Sequence, residues 1–124
     1  MELGKSLEDY LEAILILGSR NETVHSVDLA RHMNFSKPSI THATKELRNK
    51  GYLKMESNGN LKLTKEGRQI AEKIYERHLF FKEQLIKAGV DSENAEKDAC
   101  RIEHAISEES FQKLKASVEK SRES

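Results

Sequence analysis

Three small groups of side chains in this sequence have the types and spacing for metal chemistry. Asp9 and Glu12 stand three apart, so a helix would carry both on one face. Cys100, Glu103 and His104 fall at i, i+3 and i+4, again one helical face. His78 stands by itself on an apolar stripe. Carboxylate oxygen, imidazole nitrogen and one thiolate make a mixed donor set. Octahedral oxygen and nitrogen sites suit Mn²⁺ and Fe²⁺, and sulfur pulls toward Fe²⁺, Zn²⁺ or Co²⁺. The thiol must deprotonate to bind well, so occupancy should fall at low pH. Each group also has an ordinary reading. Acidic residues near a helix start favour its dipole, a histidine on an apolar stripe is often a satisfied core residue, and a free cysteine is often buried. Spacing alone leaves open whether the groups meet. His25 and His32 have no ligand-type neighbours at useful spacing and read as surface residues, and there is no CxxC pair of the zinc-finger kind.

The elements that must position these residues are legible in the periodicity. Leu7, Tyr10, Leu11, Ile14 and Leu15 form one apolar stripe of a helix over about Ser6 to Gly18, with Ser6 as N-cap and Asp9 completing an imperfect capping box. Asn21 to Val24 is a break. A short helix over Ser26 to Met33 follows, then a tight turn at Asn34-Phe35. The next helix opens on Ser36-Lys37-Pro38-Ser39, packs through Ile40, Ala43 and Leu47, runs to about Asn49 and stops at Gly51.

The period then changes to two. Leu53, Met55, Leu61 and Leu63 alternate with Lys54, Glu56, Asn60 and Lys62 around Asn58-Gly59, whose two residues both tolerate positive φ, which predicts a two-stranded hairpin. Thr64 caps a long helix with Gly67 as an early weak point, a stripe of Ile70, Ile74, His78, Phe81 and Leu85, and an end at Gly89. Asp91 or Ser92 caps a helix to about Ile106, on which Ala99, Ile102 and Ile106 form the core side opposite Cys100, Glu103 and His104. Ser107 caps a last helix to about Glu119, and Lys120 to Ser124 read as a frayed tail.

Short helix, tight turn, second helix and hairpin, in that order, describe a winged helix-turn-helix. A helix fits the major groove of duplex DNA, and its first residues reach the base edges. Facing away from Ile40, Ala43 and Leu47 are Lys37, Pro38, Ser39, Thr41, His42, Lys45 and Arg48, with Ser36 at the start, and the hairpin wing offers Lys54, Asn58 and Lys62. Small polar groups and cations there suit phosphates and bases. A solvated surface helix, or a winged helix that binds protein, carries the same pattern.

Composition sets the limits. The 124 residues suit one small core or a core with a helical appendage. Net charge is zero, but residues 1–24 carry −3, residues 25–62 carry +4 and residues 63–124 carry −1. A basic middle between acidic flanks is compatible with DNA. Mean hydropathy is −0.72, no apolar run approaches a membrane span, and Met1-Glu2-Leu3-Gly4-Lys5 lacks the apolar stretch of a signal peptide. The lone Cys100 forms no internal disulfide, so a cytoplasmic chain is expected. No recognisable general base or substrate pocket accompanies the ligand groups, so neither an enzyme nor a small organic substrate is expected.

Several separated motifs resemble one family. Ser6-Leu7-Glu8-Asp9-Tyr10-Leu11-Glu12-Ala13-Ile14 looks like its opening helix, Ser36-Lys37-Pro38-Ser39-Ile40-Thr41 like its recognition-helix start, Leu63-Thr64-Lys65-Glu66-Gly67-Arg68 with Arg77-His78 like its wing exit and long helix, and Ala99-Cys100-Arg101-Ile102-Glu103-His104-Ala105-Ile106-Ser107 like its most specific motif. The family is that of the diphtheria toxin repressor and the manganese transport regulator, in its short form without an SH3-like domain. The resemblance covers nearly the whole chain. It implies a mainly α fold with a small β-hairpin wing. Residues 1–63 would be a winged helix-turn-helix DNA-binding domain and residues 64–124 a helical metal-binding and dimerisation domain. The implied function is that of a homodimeric repressor of metal-uptake genes with Mn²⁺ or Fe²⁺ as corepressor, for which Zn²⁺, Co²⁺ or Ni²⁺ substitute in vitro. The rival is a metal-independent winged-helix regulator that answers to a ligand or protein partner.

Carried over, the metal ligands are Asp9, Glu12, His78, Cys100, Glu103 and His104, and base contacts centre on Ser36, Pro38 and His42. Asp9 and Glu12 match the manganese branch. Cys100 matches the iron branch, where the manganese branch has Glu, which leaves one metal or two per subunit open. Lys82 stands where the iron branch has the Glu of an ancillary site, so that site is not expected in its usual form.

Overall fold

A computed structural model describes residues 4–123. The readings made on Met1, Glu2, Leu3 and Ser124 lie outside the described residues. The chain forms two compact units, one through Lys73 and one from Ile74, and the division falls inside a continuous helix.

In the N-terminal unit, helix α1 spans Lys5–Arg20 and buries Tyr10, Leu11, Ala13, Ile14 and Leu17. Its N-cap is Gly4, which makes no side-chain cap bond, so Ser6 lies inside the first turn rather than at the expected cap. Helix α2 spans Ser26–Met33. His25, expected on the surface, is its half-buried N-cap, and the Asp28 carboxylate accepts from the His25 backbone N–H at 2.9 Å. His32 is exposed. Asn34 turns the chain in the left-handed region at φ 58°.

Helix α3 spans Lys37–Asn49, with Ser36 Oγ accepting from the Ser39 N–H at 3.3 Å. Its apolar face buries Ile40, Ala43 and Leu47. Strands β1 (Leu53–Met55) and β2 (Leu61–Leu63) pair antiparallel, Leu53 opposite Leu63 and Lys54 opposite Lys62. The turn uses Gly59 alone at positive φ, 89°, whereas Asn58 stays at negative φ. Gly59 N–H donates to the Glu56 carbonyl at 2.9 Å and Glu56 N–H to the Asn60 carbonyl at 2.9 Å, which closes the hairpin loop.

Strict alternation also fails here. Met55 is exposed and Asn60 is buried. The reason is hydrogen bonding: Asn60 Oδ1 accepts from the Val24 N–H at 2.8 Å, and Asn60 Nδ2 donates to Glu56 Oε1 at 2.7 Å. Leu61 N–H reaches the Val24 carbonyl at 2.8 Å, so the wing is stitched to the chain entering α2.

Helix α4 spans Lys65–Lys87 and starts at Thr64, whose Oγ1 accepts from the Gly67 N–H at 3.1 Å and donates to the Gly51 carbonyl at 2.8 Å. Gly67 is no weak point. A Cβ there would lie 2.0 Å from the Tyr52 carbonyl oxygen, so glycine is what lets α4 start against that backbone.

The C-terminal unit holds the rest of α4, α5 (Ser92–Ala105) and α6 (Glu108–Glu123). Asp91 caps α5, accepting from the Asn94 N–H at 2.9 Å, and Ser107 Oγ accepts from the Ser110 N–H at 3.1 Å at the start of α6. Lys120 to Glu123 continue α6 rather than fraying. Ile74, Ala95, Ala99 and Phe111 are buried, and the Phe80 and Phe111 rings meet edge-on at 5.5 Å. On the expected stripe of α4, Ile74 and His78 are buried while Ile70, Phe81 and Leu85 are half-buried. On α5 the buried side is Ala95, Ala99 and Glu103, at i, i+4 and i+8, and Ile102 and Ile106 are only half-buried. The carboxylate, rather than the two isoleucines, shares the inner face. No helix among the described residues is long and apolar enough to cross a membrane.

Candidate metal centre and nucleic-acid interface

In the N-terminal unit, the helix-turn-helix and wing present a polar surface. Ser36, Lys37, Pro38, Ser39, Thr41, His42, Lys45 and Arg48 are all exposed, as are Lys54, Asn58 and Lys62. Buried Ile40, Ala43, Thr44 and Leu47 orient α3 so that this face looks outward. Lys54 and Lys62 are directly opposed in the hairpin. Like charges opposite one another cost stability unless an anion lies over them, and Lys62 is partly answered by Glu56 at 3.7 Å. Asn58 Oδ1 accepts from the Asn60 N–H at 3.0 Å, so Asn58 shapes the wing tip as well as facing solvent. Asp9 and Glu12 lie on α1 of this unit. Asp9 is half-buried with Lys5 Nζ 3.2 Å from its carboxylate, and Glu12 is buried.

The C-terminal unit gathers the other ligand-type residues. Ligand atoms of Cys100, Glu103 and His104 lie within 4.8 Å of one another. Glu103 is 1% exposed. Its Oε2 lies 2.8 Å from His78 Nδ1 and its Oε1 lies 3.1 Å from His104 Nε2. Burial pushes the Glu103 carboxyl up, but hydrogen bonding and charge from His104 and His78 outweigh it and hold the group below the ordinary glutamate range. A buried carboxylate flanked by two imidazoles and a thiol within this spacing suits a transition-metal ion, whose ligands stand at about 2.0–2.3 Å from it.

Glu96, which no motif marked, and Arg77, which had no role assigned from sequence, support this cluster. Glu96 Oε1 lies 2.9 Å from His78 Nε2, and Glu96 Oε2 lies 2.9 Å from Lys82 Nζ. Burial raises the Glu96 carboxyl, and Lys82 and His78 more than offset that, so it too sits low. A signal was present: Glu96, Cys100 and Glu103 fall at i, i+4 and i+7, one helical stripe. Arg77, next to His78, donates from Nη1 to the Ile106 carbonyl at 2.8 Å and the Glu103 carbonyl at 3.3 Å, and stacks over Phe111 at 5.4 Å. It thereby fixes the end of α5, where Glu103 and His104 sit. No spacing rule connects residues so far apart in the chain.

A winged helix-turn-helix unit and a helical unit rich in ligand-type residues define a metal-dependent, DNA-binding transcriptional repressor. Residues 2–61 match the family model for the iron dependent repressor N-terminal DNA binding domain, and residues 64–124 match that for the iron dependent repressor metal binding and dimerisation domain. The chain belongs to the iron dependent repressor family. It is 34% identical over 120 residues to an HTH-type transcriptional regulator of Methanocaldococcus jannaschii, covering 95% of this chain and 96% of that protein. It is 31% identical over 114 residues to the transcriptional regulator MntR of Escherichia coli O157:H7, covering 92% of this chain and 74% of the relative. The fold is similar to that of the manganese regulator SloR, with a TM-score of 0.82 at 24% identity over 96% of this chain and 55% of that one. It is also similar to the hypothetical protein SSo2273 of Sulfolobus solfataricus, with a TM-score of 0.71 at 20% identity over 95% of this chain and 91% of that one.

Proposed function

We propose that this chain is a homodimeric cytoplasmic repressor of metal-uptake genes, with Mn²⁺ or Fe²⁺ as corepressor held by Asp9, Glu12, His78, Cys100, Glu103 and His104. The observation that carries the ligand set is the buried Glu103 carboxylate between His78 and His104, with Cys100 beside it. Asp9 and Glu12 share one face of α1, as the family resemblance requires. Residues 1–63 are assigned to DNA binding and residues 64–124 to metal binding and dimerisation. The relatives named MntR and the solved manganese regulator favour manganese; the Cys100 thiolate favours iron.

A bound divalent ion supplies positive charge that offsets the mutual repulsion of Asp9, Glu12 and Glu103. The chain does the rest. Arg77 fixes the backbone around Glu103. Base contacts centre on Ser36, Pro38 and His42 at the start of α3. Lys37, Ser39, Thr41, Lys45 and Arg48, with Lys54, Asn58 and Lys62 of the wing, complete the DNA-facing surface, Lys45 as a phosphate contact. In a dimer, two such helices must stand about 34 Å apart to enter successive major grooves. The six ligand residues would favour that arrangement by holding the ion better in it than in others.

The test titrates metal-stripped protein anaerobically with Mn²⁺, Fe²⁺ and Zn²⁺ and records duplex-DNA binding at fixed moderate salt. A metal-dependent gain, reversed by EDTA and lost in His104→Ala with the dimer intact, is expected. DNA binding indifferent to metal and chelator would leave a metal-independent winged-helix regulator instead.

A further inference from the structure

The His78 imidazole is held from both sides. Nδ1 faces Glu103, and through it the Cys100 and His104 cluster. Nε2 faces Glu96 at 2.9 Å, on the other side of the ring. Glu96 is itself held at 2.9 Å by Lys82, one turn along α4 from His78. A metal-binding imidazole keeps one nitrogen for the ion and gives the other N–H to an acceptor, and a carboxylate acceptor fixes the tautomer, orients the ring and raises the basicity of the metal-binding nitrogen. Glu96 is the carboxylate placed to do this.

From this geometry we infer that Glu96, braced by Lys82, is a positioning residue that fixes the His78 N–H on Nε2 and so presents Nδ1 to the metal. The inference rests on the ligand set proposed above. Glu96 acts through His78 and does not itself bind the ion. Its side chain is half exposed, and the Lys82 ammonium at its second oxygen disfavours a cation there. Glu103 Oε2 also lies 2.8 Å from Nδ1. With Nδ1 and Glu103 given to an ion, the Nε2–H bond to Glu96 would keep the ring from rotating.

The experiment compares Mn²⁺ and Zn²⁺ affinity, by calorimetric titration of the full chain, in wild type, Glu96→Ala, Glu96→Gln and Lys82→Met. Glu96→Ala should bind 10- to 100-fold more weakly. Glu96→Gln, which still accepts from Nε2–H, should recover most of that loss, and Lys82→Met should fall between. In the Zn²⁺-loaded, ¹⁵N-labelled protein, His78 should show a protonated Nε2 with a slowly exchanging proton, and that protection should vanish in Glu96→Ala. Wild-type binding with unchanged affinity and an unchanged His78 signal in Glu96→Ala would overturn the inference while leaving the ligand set intact. Glu96→Gln as weak as Glu96→Ala would also overturn it, because the carboxylate charge, rather than acceptance of the Nε2–H, would then be what Glu96 contributes. A wild type with no saturable metal binding would overturn the ligand set and this inference together.

Discussion

His78 Nδ1 and Glu103 Oε2 lie 2.8 Å apart, with side-chain exposures of 11% and 0%. A carboxylate this deep is tolerated because two imidazoles face it. Replacing Glu103 by Gln keeps the shape and removes the charge. The metal-free variant should lose about 1–3 kcal/mol of stability, the range for a buried group left poorly paired. Metal should raise the wild-type stability by about 2.7 kcal/mol at a hundredfold excess over Kd. That gain should be absent in Glu103→Gln. Thermal melts with and without Mn²⁺ measure both, and a retained metal-dependent rise in Tm would remove Glu103 from the ligand set.

Gly67 is fixed by its neighbour rather than by its own conformation. Its Cβ position lies 2.0 Å from the Tyr52 carbonyl oxygen, and that oxygen also accepts from the Thr64 N–H at 3.2 Å. The obstruction is backbone, which cannot swing aside as a side chain would. Gly67→Ala should therefore destabilise the N-terminal unit by about 3 kcal/mol, the upper end of the usual cost of overpacking. Urea denaturation monitored by tyrosine emission would report it, and a midpoint equal to wild type would show that α4 can shift without cost.

What the sequence made legible was local. Ser36, Thr64 and Ser107 read as caps because a side-chain oxygen before an apolar stripe is a one-dimensional signal, and α2 has the expected bounds. Cys100, Glu103 and His104 read as a group because one helical face collects them. Gly67, Asn60, Arg77 and the Glu96–His78 pair depend on partners far along the chain, and periodicity carries no information about those. Gly67 looked like a flaw and Asn60 like a solvent residue for that reason. The cap of α1 was misplaced at Ser6 because Gly4 offers no side chain to read.

Wing geometry should depend on pH through Glu56. The hydrogen bond from Asn60, the largest influence, holds the Glu56 carboxyl below its ordinary value of 4.5, with Lys62 adding to the effect. A carboxyl lowered in the fold stabilises it above the unfolded value, and that contribution is lost as pH falls through the folded one. As pH falls through the folded Glu56 value, which lies below 4.5, the hydrogen bond from the Asn60 side chain should weaken and the wing should loosen. The Asn60 side-chain amide protons, protected at neutral pH, should exchange faster there. Asn60→Ala should abolish the pH dependence and cost about 1–3 kcal/mol at neutral pH, since the buried Val24 N–H is then unsatisfied. Protection that is unchanged after the Glu56 carboxylate has itself been titrated would show that Glu56 does not hold the wing.

Lys45 and the Lys54–Lys62 pair make a quantitative case for phosphate contact. Lys45 is exposed on the outer face of α3, and the two wing lysines stand opposite one another. Each cation that neutralises a phosphate releases about 0.9 of a counterion, which steepens the fall of affinity with salt by the same amount. Lys45→Ala should weaken binding to operator and random duplex alike and reduce the slope of log affinity on log salt by about 1. Lys54→Ala should do the same, and in the DNA-free protein it should not destabilise the fold, because it removes a like-charge pair. His42→Ala, on a residue assigned to the bases, should leave the slope nearly constant and lower only the preference for operator over random DNA. An unchanged slope in Lys45→Ala would take that residue out of the phosphate contacts, and a changed slope in His42→Ala would move His42 into them.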